Sequence, residues 1–378
     1  MRAILVVCYL LLQGCAATKG AEAPGRDRIF NDALFAAPAE RIDARDVFAV
    51  SPEMVRYLRE DIAAQLESKG RQQGLFDALY SSGQLKLAYD AALTRNAAEA
   101  FQARSGNCLS LVIMTAALAR ELGLEVRYQR VFADETWSRV GELHVASSHV
   151  NVTLGHKSGD PRVLFSERNL LTIDFMPLRR GLKYRAFEIR EPTVMAMFMN
   201  NRAAEALAAG RMDDAYGWAR AAIGQDPAFM ASYNTLGVIY RHGSHMREAE
   251  RVLAHVLERE PANTYALSNL ALVMKDTGRL SEAAALRQKL ARLEPVPPFH
   301  FFELGLTAMQ AHDYATARDH FIREIERDAM YHEFHFWLAA AYSALGDSIR
   351  ARRHLGIALE NSTTRGERDL YAAKLDRL

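Results

Sequence analysis

Three side chains, widely spaced along the chain, are of the types that thiol catalysis needs. Cys108 sits in Arg104-Ser105-Gly106-Asn107-Cys108-Leu109-Ser110, just ahead of an apolar helical stretch, 111–122, that stops at Gly123. A cysteine at or just before a helix N-terminus meets backbone N–H groups with no intrahelical partner. Together with the helix dipole these favour the thiolate, and the same groups can hold a developing oxyanion. His149 lies in Ser148-His149-Val150-Asn151-Val152-Thr153-Leu154, where alternation puts the valines and Leu154 on one face and His149 and Asn151 on the other. Asp174 falls near the end of Leu171-Thr172-Ile173-Asp174-Phe175, shortly before Pro177. A thiolate, a base to activate it and to protonate the leaving group, and a carboxylate to fix the imidazole are what nucleophilic catalysis requires. His144, in Glu142-Leu143-His144, is the rival base and reads as loop or strand edge; Asp160 and Asp134, both in expected loops, are rival acids. Gln102, six residues before the thiol, is a weaker candidate for an oxyanion donor, with a solvated helix-end glutamine as its plainer reading. Trp137 and Trp218 read as packing residues.

Several elements have to position these groups. Ser51-Pro52-Glu53 supplies a cap, a proline for the first helical position and an acid in the first turn, so a helix is expected over 54–66. A second helical stretch is expected over 85–103. Strands are expected at 124–132, 147–154, 162–165 and 170–175, where the pattern turns to alternation.

Gly106-Asn107-Cys108 leading into an Ala-rich helix that ends Ala119-Arg120-Glu121-Leu122-Gly123-Leu124, then His149-Val150-Asn151-Val152, then Ile173-Asp174-Phe175, resembles the transglutaminase-like fold of bacterial proteins over residues 85–178. That superfamily includes transglutaminases, cysteine peptidases and amidases related in layout to papain. The resemblance implies Cys108 as nucleophile, His149 as base and Asp174 as orienting acid. Many members carry an aromatic residue two positions after the histidine, where Asn151 stands here, and no cross-linking or calcium-site pattern is evident. Substrate class therefore does not carry over.

From about residue 194 the chain repeats with a period of thirty-four. Pro227, Pro261 and Pro295 keep that spacing, and Asp328-Ala329 continues the phase. So do Ala215, Ala249, Ala283, Ala317 and Ala351, and so do Gly210, Gly278 and Gly346, with Ser244 and His312 between them. A third small-residue series is Gly237, Ala271, Gly305 and Ala339. Small residues let two helices approach, the glycine position allows the turn, and an acid followed by proline ends the second helix. The pattern looks like the tetratricopeptide repeat (TPR) in about five hairpins, the first and last less regular, as terminal caps tend to be. Asn234, Asn269, Tyr233 and Tyr265 fall on first helices, where such arrays often present peptide-binding groups.

At the start, Arg2 precedes an apolar run, 3–12, too short to span a bilayer but suited to a secretory signal. Leu12-Gln13-Gly14-Cys15 resembles the lipobox of bacterial lipoproteins, which implies cleavage before Cys15 and a diacylglycerol on its thiol. Two or more acyl chains hold a protein stably at a membrane, and Ala16 favours an outer membrane, facing the periplasm. Cys8 would leave with the signal, so Cys108 would be the one free thiol of the mature chain.

The expected organisation is a signal peptide (1–14), a Gly/Ala-rich tether (15–28), an α+β transglutaminase-like domain with its cysteine helix against an antiparallel sheet (29–193), an all-α TPR superhelix (194–363) and a capping helix (364–378). With 47 Lys and Arg against 46 Asp and Glu, no net field draws the 378-residue chain to nucleic acid. Its 49% hydrophobic and 25% charged composition is that of a globular protein. There is no metal-ligand spacing and no phosphate loop, so no cofactor is expected; the expected partners are a protein or peptide in the groove of the array and a membrane through Cys15.

Overall fold

The computed structural model describes residues 29–80, 87–91, 93–140, 143–155, 170–175 and 185–378, with backbone alone at 80, 132–140, 143–148 and 185. Cys8, Cys15, Asp160 and the strand expected at 162–165 lie outside the described residues.

The Ser51 hydroxyl accepts a hydrogen bond from Met54 N, and Pro52 opens α1 (Pro52–Arg56). The single helix expected over 54–66 is in fact broken. A wide π-helical turn, Tyr57–Asp61, follows α1, and Ile62 leaves helical geometry before α2 (Ala63–Lys69) and α3 (Arg71–Tyr80). The wider turn keeps Met54, Tyr57, Leu58 and Ile62 all in the core, so burial outweighs helical regularity.

The helix expected over 85–103 is also corrected. Among the described residues of that stretch, α4 (Ala97–Ala103) alone is helical, started by a reciprocal capping box between Asn96 and Glu99. Upstream of it, β1 (Ala88–Tyr89) pairs in parallel with β2 (Ser105–Gly106). A left-handed Arg104 turns the chain from α4 into β2. At Gly106 a Cβ would come within 2.6 Å of the Ser110 Cβ, so this glycine is what lets the next helix begin so close to β2.

That helix, α5 (Cys108–Glu121), is buried at every position from Cys108 to Ala119, which explains why it is apolar all round. It packs on an antiparallel sheet of order β5-β4-β3-β6, built from β3 (Glu125–Val140), β4 (Leu143–Gly155), β5 (Leu171–Ile173) and β6 (Arg185–Ile189). Val150, Val152, Leu154 and Ile173 are fully buried and share one core with α5. The expected strand at 124–132 runs on to Val140 with a register shift between Val131 and Thr136. Asp134 therefore stands within β3 rather than in a loop, while His144 lies at the edge of β4, its second residue; their side chains lie outside the described residues, as does that of Trp137.

Beyond the sheet come five helical hairpins: α6 (Glu191–Ala208) with α7 (Met212–Gln225), α8 (Met230–His242) with α9 (Met246–Arg259), α10 (Thr264–Asp276) with α11 (Leu280–Leu293), α12 (His300–Gln310) with α13 (Tyr314–Arg327), and α14 (His332–Ala344) with α15 (Ser348–Glu360). A last helix, α16 (Arg365–Leu375), follows them. Each periodic series has one structural job. Gly210, Ser244, Gly278, His312 and Gly346 all turn with positive φ. The five alanines from Ala215 to Ala351 are buried between paired helices. A Cβ on Gly237 would meet Leu253 at 2.7 Å, and one on Gly305 would meet Phe321 at 2.4 Å. The array is TPR-like.

The first three hairpins share a single core with the sheet region, extending to Ala283. The fourth and fifth share a core of their own around Phe302, Phe321 and Phe334, and the fifth packs with α16 around Leu355 and Tyr371. Between the two parts run Pro295, Pro297 and Pro298 and a left-handed Phe299. On α11, Ala283 alone is buried.

Residues 29–46 bind the N-terminal region to the first two hairpins. The Tyr240 hydroxyl donates to Ile29 O and accepts from Asn31 N, and Phe35 stacks on Tyr216. Glu40 receives hydrogen bonds from Arg202, Arg211 and Trp218, and the Trp218 ring is buried edge-on to Phe198, the packing role expected of it. Burial works against the charge on Glu40, but those donors prevail and lower its pKa to about 2. No described helix is long and apolar enough to cross a membrane.

Candidate active site

Cys108 is the first residue of α5 and is 6% exposed. Asn107 caps the helix, its side-chain oxygen accepting from both Ser110 N and Ser110 Oγ at 2.9 Å. The Asn107 amide donates to the buried Thr94 Oγ1 at 2.9 Å, and Thr94 N donates to Glu205 on α6 at 2.8 Å. The start of the cysteine helix is thereby fixed both by its own cap and by the first helix of the array.

β4 supplies His149, 2% exposed. Pairing of β4 with β5 sets Val152 opposite Ile173 and Thr153 opposite Thr172, whose hydroxyls meet at 2.9 Å. Continued by one residue, that register brings Asp174 to the face that carries His149, diagonally across the strands. The His149 Nε2 and Asp174 Oδ1 are 2.5 Å apart. The other ring nitrogen, Nδ1, is buried and has no hydrogen bond among the described residues. Burial pushes the imidazole toward its neutral form. The Asp174 carboxylate and then the Cys108 sulfur, close enough to act on the ring, outweigh that and raise its pKa to about 9. Because Nδ1 lacks a completed bond, the sulfur stands near the ring short of hydrogen-bond geometry, a looseness usual in sites without substrate.

Cys108, His149 and Asp174 are thus brought together, with the ring held by Asp174 at Nε2 and the Cys108 sulfur close to it. Chemically, this arrangement can pass a proton between thiol and imidazole and hold the resulting imidazolium. Gln102 is not part of it. That side chain is exposed near the end of α4 and makes no hydrogen bond among the described residues. Asn151 is 5% exposed on the face that carries His149, and its Oδ1 has no partner among the described residues.

Sequence reasoning missed Tyr89. β1 sets it opposite Gly106, two residues before Cys108, and burial followed by the nearby Cys108 sulfur raises its pKa. A usable signal was present in Asn96-Ala97-Ala98-Glu99, a capping box that starts the helix after Tyr89 rather than before it.

Of the expected groove residues, Tyr233 is buried and donates to Pro227 O, while the Asn269 amide donates to Asn234 Oδ1 at 3.1 Å. Tyr265 is half-buried at the start of α10. No cluster among the described residues has the make-up of a metal site.

No family model and no curated protein matches the sequence. Overlapping solved structures include a MamA crystal structure, 17% identical over 44% of this chain and 91% of that one, with a TM-score of 0.25. MamA from Desulfovibrio magneticus RS-1 is 15% identical over 44% and 94% of the two chains, with a TM-score of 0.26. A thermophilic TPR protein of Thermus thermophilus is 16% identical over 48% of this chain and all of that one, with a TM-score of 0.31. Likeness at this level says nothing about chemistry, and the TPR character of the array rests on its own packing.

Proposed function

We propose that the chain is a lipid-anchored envelope protein whose N-terminal region carries out thiol-dependent acyl chemistry, as an amidase, peptidase or acyltransferase of the transglutaminase-like kind, on protein or peptide substrates recruited by its TPR array. Cys108 is the nucleophile, His149 the base and Asp174 the group that orients and charges the imidazole. The observation carrying this reading is the 2.5 Å contact from Asp174 to His149 Nε2, with the Cys108 sulfur at the start of a 14-residue helix close enough to help raise the ring's pKa. In this mechanism the sulfur attacks an acyl carbon, His149 gives its proton to the departing amine, and water or an acceptor amine then releases the acyl group. The lipobox at Cys15 and the protein-binding use of the array belong to the same reading.

Iodoacetamide tests it. Cys108 alkylates near neutral pH faster than free cysteine, and His149→Ala slows it; equal rates in wild type, variant and free cysteine would remove the enzyme. The 6% exposure of Cys108 favours a second reading, a scaffold in which the cysteine region is idle. That reading requires a Cys108→Ala strain to behave as wild type, and fails if the strain matches a deletion.

A further inference from the structure

The fourth hairpin begins out of step with the rest of the array. Met230, Thr264 and His332, which open α8, α10 and α14, keep the thirty-four-residue phase, and the residue in phase with them is Pro298. α12 opens two residues later, at His300. Phe299, in phase with Tyr265 and Glu333 in the first turns of their helices, is left-handed instead, with φ 61°. A bulky L side chain is strained there.

The late start leaves uncovered some apolar residues whose counterparts in the other hairpins are buried. Leu304 is 40% exposed, whereas Leu236, Leu270 and Leu338 in the same slot are 0%, 8% and 1% exposed. On α11, Leu290 is half-buried where Ala222, Val256 and Ala358 are fully buried.

Two charged side chains of α13 hold the irregular start in place. The buried Glu324 carboxylate accepts from Phe301 N at 2.7 Å and Phe302 N at 3.2 Å, donors of the first turn of α12 that have no intrahelical acceptor. Arg327 pairs with Glu324 at 2.7 Å and donates to Pro297 O at 3.1 Å and Val296 O at 2.9 Å. The other hairpins carry Ala222, Val256, Leu290 and Ala358 where Glu324 stands, so the buried charge belongs to this junction and not to the repeat.

We infer that the joint between α11 and α12 is a clasped hinge, open in this structure and poised to close. The strained Phe299 and the uncovered leucines favour closing; the bonds of Glu324 and Arg327 oppose it. When those bonds let go, Phe299 turns right-handed, α12 lengthens back to Pro298, and Leu304 seats against α11 as Leu270 shares a core with Val256. The fourth and fifth hairpins have a common core and travel together, carrying Thr363 with them. Ala91 N donates to Thr363 O at 2.9 Å, tying the chain just after β1 to the turn between α15 and α16, and that bond does not survive the movement. The array thus has two shapes, one joined at its far end to the region that holds Cys108 and one released from it. A partner spanning the third and fourth hairpins selects between them. Nothing in the hinge depends on whether Cys108 reacts.

Nitroxide labels on Ser281→Cys and Gln310→Cys, exposed positions at the ends of α11 and α12 remote from the linker, read the joint as a distance distribution by pulsed electron paramagnetic resonance. The labels go on the full chain with Cys8, Cys15 and Cys108 replaced by alanine. With the clasp intact the long distance should dominate. Glu324→Ala and Arg327→Ala should each add a population shorter by about 5 Å or more, half a helix-to-helix spacing. Leu304→Lys, which sets a charge in the slot and leaves the open form as it is, should remove that population from either variant. Amide exchange at Ala91 should rise about fivefold or more in the two clasp variants and return to the original rate with Leu304→Lys. A distance that shortens in neither clasp variant overturns the hinge. So does a shortened distance that persists with Leu304→Lys, since the array would then be loosening without docking on α11. Closing without faster exchange at Ala91 overturns the release of the far end.

Discussion

Replacing Asp174 by asparagine keeps the shape of the side chain opposite His149 and removes its charge. The ring is 2% exposed, and burial alone would hold its pKa below the ordinary 6.5, yet it is raised to about 9. Of the contributions that raise it, the Asp174 hydrogen bond is the largest single one, and the Cys108 sulfur adds to it. A rise of that size corresponds to about 3 kcal/mol favouring the charged ring. Losing the Asp174 charge should lower the imidazole pKa by at least about one unit, and so reduce alkylation of Cys108 at pH 7 by about tenfold. The effect on stability has a defined direction. A group whose pKa is higher in the folded state contributes stability that is fully present below its unfolded pKa and is lost as pH rises through the folded one. The gap in unfolding free energy between wild type and Asp174→Asn should therefore reach up to about 3 kcal/mol near pH 6 and close by about pH 9.5. Urea titrations at both pH values, with iodoacetamide rates at pH 7, measure the two effects. A gap of the same size at both pH values, or an unchanged alkylation rate, would refute the charge-pair argument.

Gly305→Ala sets a Cβ 2.4 Å from the Phe321 ring and should destabilise the fourth hairpin by about 1–3 kcal/mol, visible as an earlier loss of helical circular dichroism on heating; a stabilised variant would contradict the packing. Glu40→Gln should lower stability at pH 7 by about 2 kcal/mol. Because the folded pKa of Glu40 is depressed, that difference should persist above about pH 4.5 and fade as pH drops through about 2, which acid titration of both proteins would reveal. Cys15→Ser should move the protein from the membrane to the soluble fraction of a bacterial host, and undiminished membrane retention would dispose of the lipid anchor.

The thirty-four-residue period was readable because each series answers to contacts made within one hairpin. A left-handed turn at Gly210 or Gly346 and a close approach at Gly237 depend on neighbours a few residues away, and they recur wherever the sequence recurs. Placing Cys108 at a helix start was equally local, since Asn107 caps within three residues. Alternation also put His149 and Asn151 on one face. What only the tertiary structure decided was which carboxylate reaches His149, because that follows from the register between β4 and β5, a pairing of segments about twenty residues apart. Tyr89 was hidden for the same reason: a two-residue strand has no periodicity, and pairing with β2 alone creates it. The separation of the cores after the third hairpin was hidden too, for Pro295 and Gly305 stay in phase while the packing between α11 and α12 lapses. Sequence carries the interactions that neighbours in the chain enforce; contacts between distant segments depend on backbone pairing and on burial shared across elements, which no local pattern encodes.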